Sequence, residues 1–357
     1  MTLPIARRHL LLGAAAGAGL GGIRARAAEP LHVGFVYLGP VGDFGWTYQH
    51  DLGRKALDTA LGSAIKTTAV ENVTEGPDAE RVIRQLATNG NGLIFTTSFG
   101  FMNPAERVAR QFSKVKFEQA TGYKTLPNLA EYNSRFYEGR AVCGAIAGHV
   151  SKSGVAGYVG SVPIPEVVMG IDAFTLAAQK VNPNFKTKVI WVNSWFDPGK
   201  EADAAKSLID QGADVLCQHT DSPAVMQTAQ ERHVLAFGQS SDMRSFGPDA
   251  QLTAIVDNWG PYYIERTKAV LSNTWKTQSV WLGMKEGLVE IAPYGPGVTP
   301  VAREAADKVK AGIIAGTLNP FAGPIKDQKG EQKIAAGASI PDPELLKLNW
   351  YVEGVQA

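Results

Sequence analysis

Cysteine is scarce in this chain: only Cys143 and Cys217 occur in 357 residues. Each stands in an apolar setting, the first within residues 141–147 and the second beside Val215 and Leu216. In an oxidising compartment they permit one disulfide, and two separate buried thiols fit as well. Charge of one sign is missing too. Lys and Arg number 35 against 34 Asp and Glu, a net charge of +1, and no basic block occurs. That excludes the electrostatic footprint of a nucleic-acid binder or of a protein built for an acidic partner. Beyond residue 28 no apolar run reaches the roughly 20 residues of a membrane-spanning helix, so the mature chain is not expected to insert into a bilayer. The motifs of several enzyme classes are also lacking: no G-x-S-x-G elbow, no G-x-x-x-x-G-K-[ST] phosphate loop and no H-E-x-x-H zinc helix.

What is present describes an exported globular protein. A hydrophobic content of 45% with 19% charged residues is that of a folded chain. The length exceeds one compact core, so two domains are expected. Residues 1–28 have the layout of a signal peptide, with Arg7 and Arg8, an apolar stretch over 10–22 and Ala25-Arg26-Ala27 as a cleavage pattern. The arginine pair resembles a twin-arginine signal. With no cysteine near the cleavage point, no lipid anchor is expected, and the mature chain is placed in the periplasm. The glycines of 13–22 belong to this segment and form no dinucleotide loop.

The mature chain alternates short apolar runs with helical patterns. Strand-like runs at 31–38, 64–70, 92–97 and 115–119 are separated by helical patterns at 52–61, 77–89 and 104–112. A short extended segment at 129–133 and a helix at 135–150 lead into a second round. There, strands at 155–160, 187–192, 214–218 and 234–238 alternate with helices at 166–181, 199–211 and 223–232. A strand at 252–257, a helix at 259–271, a hairpin at 280–291, an amphipathic helix at 300–314 and a Gly-, Pro- and Lys-rich tail follow. This β-α alternation implies parallel sheets with helices on both faces. No low-complexity linker separates the rounds, so several short crossings are expected between two lobes.

The most conspicuous stretch is 39–51. It follows the first strand, where open α/β sheets place their ligands. Gly39, Gly42 and Gly45 allow close backbone approach, and Asp43, Phe44, Trp46, Tyr48 and His50 crowd the turn. Asp43 equally suits a helix cap. Phe99, Phe101 and Tyr123 stand at other strand ends and suit either the cleft or its rim. Cys217, His219 and Asp221 alternate along a strand, a conceivable metal face without a second ligand cluster; His219 and Asp221 fit better as cleft residues. Trp46 and Trp195 also fit a core, and Asp257 a strand-end turn.

Residues 147–160 (AGHVSKSGVAGYVG), 193–202 (NSWFDPGKEA) and 208–215 (LIDQGADV) resemble the basic membrane protein family. Phe44, the segment from Phe237-Gly238 to Asp242, and residues 252–256 match in order, and the similarity spans essentially the whole mature chain. The family comprises substrate-binding components of ABC importers, known for purine nucleosides. The resemblance implies an α/β chain with the bilobed type I periplasmic binding protein fold: two doubly wound parallel-sheet lobes joined by a multi-strand hinge. The expected lobes are 29–134 with 257–278, and 135–256 with 279–340; residues 341–357 are left unassigned. A monomer is expected, with a membrane permease as partner and no cofactor or metal.

By resemblance, the base-stacking aromatic is Trp195, with Phe196 beside it, and Phe44 supplies a second aromatic. Trp46 stands where the family has a polar contact, so Trp46 and Trp195 are expected to sandwich a flat ring. After Gly238 the family has an Asp that grips ribose; here Gln239 or Ser240 takes that register and Asp242 follows. Asp257 replaces a Lys that faces the sugar. Losing both sugar contacts implies a ligand without ribose, a free base such as adenine, with Asp257 accepting from an exocyclic amine or ring N–H. The rival readings are a periplasmic purine nucleoside hydrolase, which needs clustered aspartates where Asp43 stands alone, and a ligand sensor for a membrane receptor.

Overall fold

The computed structural model describes Met1 and residues 29–357. The targeting segment read at the amino terminus lies outside the described residues. The first strand, β1 (Leu31–Val36), is buried along most of its length, as a central parallel strand covered on both faces must be. It leads to α1 (Trp46–Leu61), β2 (Ile65–Val70), α2 (Pro77–Thr88), β3 (Leu93–Thr96), α3 (Met102–Gln111), β4 (Lys116–Ala120) and β5 (Leu129–Ser134). The second round is α4 (Phe136–Val150), β6 (Val155–Gly160), α5 (Pro165–Gln179), β7 (Lys186–Trp191), α6 (Pro198–Asp210), β8 (Val215–His219), α7 (Ala224–Glu231), β9 (Leu235–Gly238) and β10 (Gln251–Asp257). Then come α8 (Gly260–Leu271), β11 (Ser279–Leu282), β12 (Val289–Ile291), α9 (Pro300–Ala315), β13 (Ile325–Lys326), β14 (Gln332–Ile334), α10 (Asp342–Leu345) and β15 (Val355–Gln356).

Local chemistry explains where the helices start. Pro77 opens α2 and places Val82, Ile83 and Leu86 on its buried face. Asp197 caps α6 by accepting from the Lys200 amide at 3.1 Å, and Thr299 caps α9 in the same way through Ala302. α1 begins at Trp46, six residues earlier than its apolar pattern suggests. Trp46, Thr47, His50 and Asp51 therefore lie on a buried helix face and not in an open loop. The small-residue character of α4 is a packing requirement. α4 and α5 run so close that a Cβ on Gly144 would collide with the Phe174 carbonyl oxygen.

Two parallel sheets result. The first has the order β11-β5-β4-β3-β1-β2, the second β12-β10-β9-β8-β6-β7-β15, in which β12 is antiparallel. The chain passes between the lobes after β5, after β10 and between β11 and β12, which makes the hinge multi-stranded. That last crossing corrects one expectation. Residues 280–291 do not form a hairpin: β11 pairs with β5 in the first sheet, while β12 pairs with β10 in the second. Alternating hydrophobicity is the same for a hairpin and for two strands that part company. Residues 279–282 consequently lie in the first sheet and not with the second lobe. The tail joins the second lobe. β15 pairs with β7, and Leu345, Leu348 and Val352 enter that lobe's core.

Cys143 and Cys217 are both free thiols buried in the second lobe. Among the described residues, no helix is long and apolar enough to cross a membrane.

Candidate functional site

The residues that wall the smaller cavity between the lobes sit at or just after the carboxyl end of a parallel strand or in the first turn of the helix that follows. Leu38 and Trp46 follow β1, Ser98 follows β3 and Thr121 follows β4. From the second lobe come Glu166 at the start of α5, Trp195 before α6, His219 and Asp221 at the end of β8, and Gln239 after β9. The free space among these residues is only about 20 Å3, so the lobes stand closed on the crevice and must part to admit a small molecule. The two sheets converge on one crevice because both are parallel and both point their carboxyl ends at it.

The lobes touch closely at the rim. A Cβ on Gly45 would collide with the Asp221 carbonyl oxygen of the opposite lobe, so this glycine is required for the approach. Next to it, Phe44 adopts a left-handed backbone with φ 57°. Its carbonyl accepts from the Ser241 hydroxyl, and its ring meets Phe246 with centroids 5.0 Å apart. Phe44 is thus a latch between lobes on the rim and does not wall the cavity.

Trp46 serves the cavity and the core together. Its indole N–H donates to the Thr97 carbonyl at 2.6 Å, and His50 and Trp259 contact it edge-on at 4.3 and 5.5 Å. Trp195 is half-buried, faces the same space and lies 6.3 Å from the His219 ring. Phe196 is half-buried beside it but does not wall the cavity. The second-lobe polar residues separate into two groups. Gln239 reaches the cavity and is oriented by the buried Arg140 guanidinium, which also donates to the Gln218 carbonyl at 2.6 Å. Ser240 and Asp257 lie behind the cavity wall. The Asp257 amide donates to the Ser240 carbonyl at 2.9 Å, and the Ser134 hydroxyl approaches the Asp257 carboxylate at 3.4 Å. Asp242 is exposed and turned away. It accepts from the Arg244 amide and from Gln251 at 3.1 and 2.6 Å and does not wall the cavity. Phe99 lines a neighbouring space instead. The Asp43 side chain lies outside the described residues.

The alternating trio around β8 comes apart in the structure. Cys217 is buried in the core and accepts from Arg140 at 3.2 Å, whereas His219 and Asp221 face the cavity. Glu166, Ser98 and Thr121 were not singled out from the sequence. The available signal was position alone, since each stands at a strand end like the residues that were.

The cavity is electrostatically quiet. Burial holds the His219 imidazole well below its ordinary pKa, hence neutral. Its Nε2 lies 3.8 Å from the Glu166 carboxyl. Burial, followed in effect by the neighbouring Asp257 and Glu131, pushes Glu166 up to about 8 against the pull of Asn133. Burial likewise raises Asp257 to about 7, opposed by Ser240, Arg140 and Ser134. At neutral pH, Glu166 carries its proton and can donate. The walls therefore offer aromatic faces and neutral donors and acceptors beside the Asp221 carboxyl, which suits a flat, polar molecule.

The model of the family described as "ABC transporter substrate-binding protein PnrA-like" matches residues 31–316. The chain belongs to this family. A purine-binding protein of Brucella abortus (strain 2308) is 59% identical over 346 residues, covering 97% of this chain and 98% of that one. A putative ABC transporter glucose-binding protein, TsgA13 of Haloferax volcanii, is 33% identical over 328 residues, covering 92% and 81%. Solved solute-binding proteins share the fold. That from Aeropyrum pernix K1 has a TM-score of 0.69 at 19% identity, covering 83% of this chain and 94% of its own. That from Conexibacter woesei has a TM-score of 0.64 at 20% identity, covering 81% and 98%. The two-lobed periplasmic binding protein fold and the role of substrate-binding component of an ABC transporter follow from family membership. Proteins of this family bind a small molecule outside the membrane and deliver it to a membrane permease.

Proposed function

We propose that this protein captures a purine in the cleft between its lobes and prefers the free base to the nucleoside. The observation that carries the reading is that one cavity is walled by an indole from each lobe, Trp46 and Trp195. Stacking on indole is strong and tolerant of base identity. Neutral groups around the ring, Glu166 with its proton, His219 and Gln239, match the donors and acceptors on a purine's edges. The likeness to a Brucella purine-binding protein over nearly the whole chain supports the same class.

The free-base preference rests on what surrounds Gln239 and Asp257. The Gln239 oxygen is held by Arg140 and one amide hydrogen by the Ser240 hydroxyl, which leaves a single amide hydrogen for the base, and Asp257 lies behind the wall. Neither offers the exposed charged grip that a ribose diol would reward. The protein acts as a monomer in the periplasm and hands its ligand to the permease. The hydrolase and sensor readings have no comparable support in the cavity. Calorimetric titration with adenine, adenosine, guanine and guanosine tests the proposal. A base is expected to bind at 1:1 at least tenfold more tightly than its nucleoside, about 1.4 kcal/mol. Tighter binding of the nucleosides would reverse the preference, and silence with all four ligands would remove the purine reading.

A further inference from the structure

Beside the cavity lies a second, larger space of about 830 Å3, open to solvent. Thr121 and Glu166 wall both, so the two are adjacent. A base stacked between Trp46 and Trp195 would leave this chamber empty, and its walls have a chemistry of their own.

Glu131 is the key side chain. It stands on β5, where it and Asn133 alternate with Tyr132, whose ring packs in the opposite direction among Tyr262 and Tyr263. Glu131 lines the chamber while remaining only 7% exposed. One carboxylate oxygen accepts from the Ser279 hydroxyl, and the other has no hydrogen-bond partner among the described residues. A buried carboxylate oxygen left without a donor is costly. Glu166 lines the chamber from the opposite lobe, where Asn133 hydrogen-bonds it and the Glu131 charge helps to raise its pKa.

Among the described residues, no cation is paired with Glu131. Arg135 also lines the chamber, but its guanidinium is engaged by Asp342 at 3.0 Å and the Tyr137 hydroxyl at 2.8 Å, with the Trp281 ring at 4.2 Å. Lys347 is exposed at the wall formed by the tail. The chamber's lining also includes apolar groups such as Ile164 and Met169.

We propose that the preferred ligand is a purine extended by a short apolar arm that ends in an amine, with the ring in the cavity and the amine against the Glu131 carboxylate. This rests on the purine reading above and adds a substituent class to it. The ammonium supplies the missing donor to Glu131, and the arm lies along the apolar lining.

Calorimetry with adenine, with adenines carrying a butyl arm at N6 or N9, and with the matching aminobutyl adenines tests this. At one of the two positions the aminobutyl compound is expected to bind about tenfold more tightly than its butyl counterpart, the scale of a charge-assisted hydrogen bond. In Glu131→Gln that advantage is expected to vanish, while adenine affinity changes less than about threefold on the same scale. Circular dichroism confirms that the variant is folded, and the wild-type comparison stands without it. Equal affinities for the butyl and aminobutyl compounds at both positions, or an amine preference that survives in Glu131→Gln, would overturn the proposal. If adenine binds and the amine brings no gain, only the extended ligand is refuted. If no compound of the series binds, the purine reading fails and this inference with it.

Discussion

Replacing Trp195 with alanine is expected to weaken adenine binding by roughly 10- to 100-fold, since a stacked base contributes about 1–3 kcal/mol. Trp195 is the better of the two indoles for this test. It is half-buried on the loop before α6 and packs on the edge of the second lobe's core, so its removal leaves the sheet intact. Trp46 is buried among His50, Phe136 and Trp259, and its truncation would cost about 3–5 kcal/mol of stability alongside any loss of binding. Trp195→Phe keeps a ring face and is expected to retain most of the affinity. Titration followed by intrinsic tryptophan fluorescence gives a second readout. Adenine is expected to quench the wild type, and the quench to shrink in Trp195→Ala. Affinity within twofold of the wild type would mean that the ring is held elsewhere.

The second large effect is on stability against pH, at Glu166. Burial raises its pKa in the folded chain to about 8 from an ordinary 4.5. The folded state therefore keeps a proton that the unfolded state releases between about pH 4.5 and 8. Stability from this group is greatest below that window and is lost as pH rises through it, by at most about 1.4 kcal/mol per pH unit. The side chain retains 11% of its surface open to the cleft, and water there lowers the slope. Asp257 and Glu131, both raised to about 7 by burial, act with the same sign. His219, neutral in the fold, acts with the opposite sign below its ordinary pKa of 6.5. The wild type and Glu166→Gln share these three groups, so the difference between them reports Glu166. In ligand-free protein the Tm of Glu166→Gln is expected to gain steadily on the wild type from pH 5 to pH 8. Parallel curves would place an ionised carboxylate in the cleft at neutral pH.

The architecture was legible because hydrophobic alternation and helix caps are local signals. β1, β3 and β8 are short apolar runs, and α2, α6 and α9 announce themselves with Pro, Asp or Thr at their starts. Pairing was not legible where the chain changes lobes. Residues 279–291 carry a strand pattern, but nothing local says that β11 and β12 will join different sheets. Trp46, Trp195 and His219, singled out by strand-end position and family resemblance, do wall the cavity, while Gln239 had been only the alternative to Ser240 in one register. Glu166 was missed because a glutamate in a first helical turn looks like ordinary dipole compensation, and only burial reveals it. Asp242 went the other way: register placed it near the ligand, while Gln251 and Arg244 hold it on the outside. Phe44, carried over as a stacking residue, became a latch through Phe246 and Ser241.

The most direct test of the central claim is a crystal structure of the protein grown with adenine. The account predicts one flat density between the Trp46 and Trp195 rings, parallel to the Trp195 indole, with Glu166 and Gln239 at hydrogen-bonding distance from its edge. Adenine bound outside that cavity, or standing edge-on to Trp195 with no contact to Glu166, would contradict it.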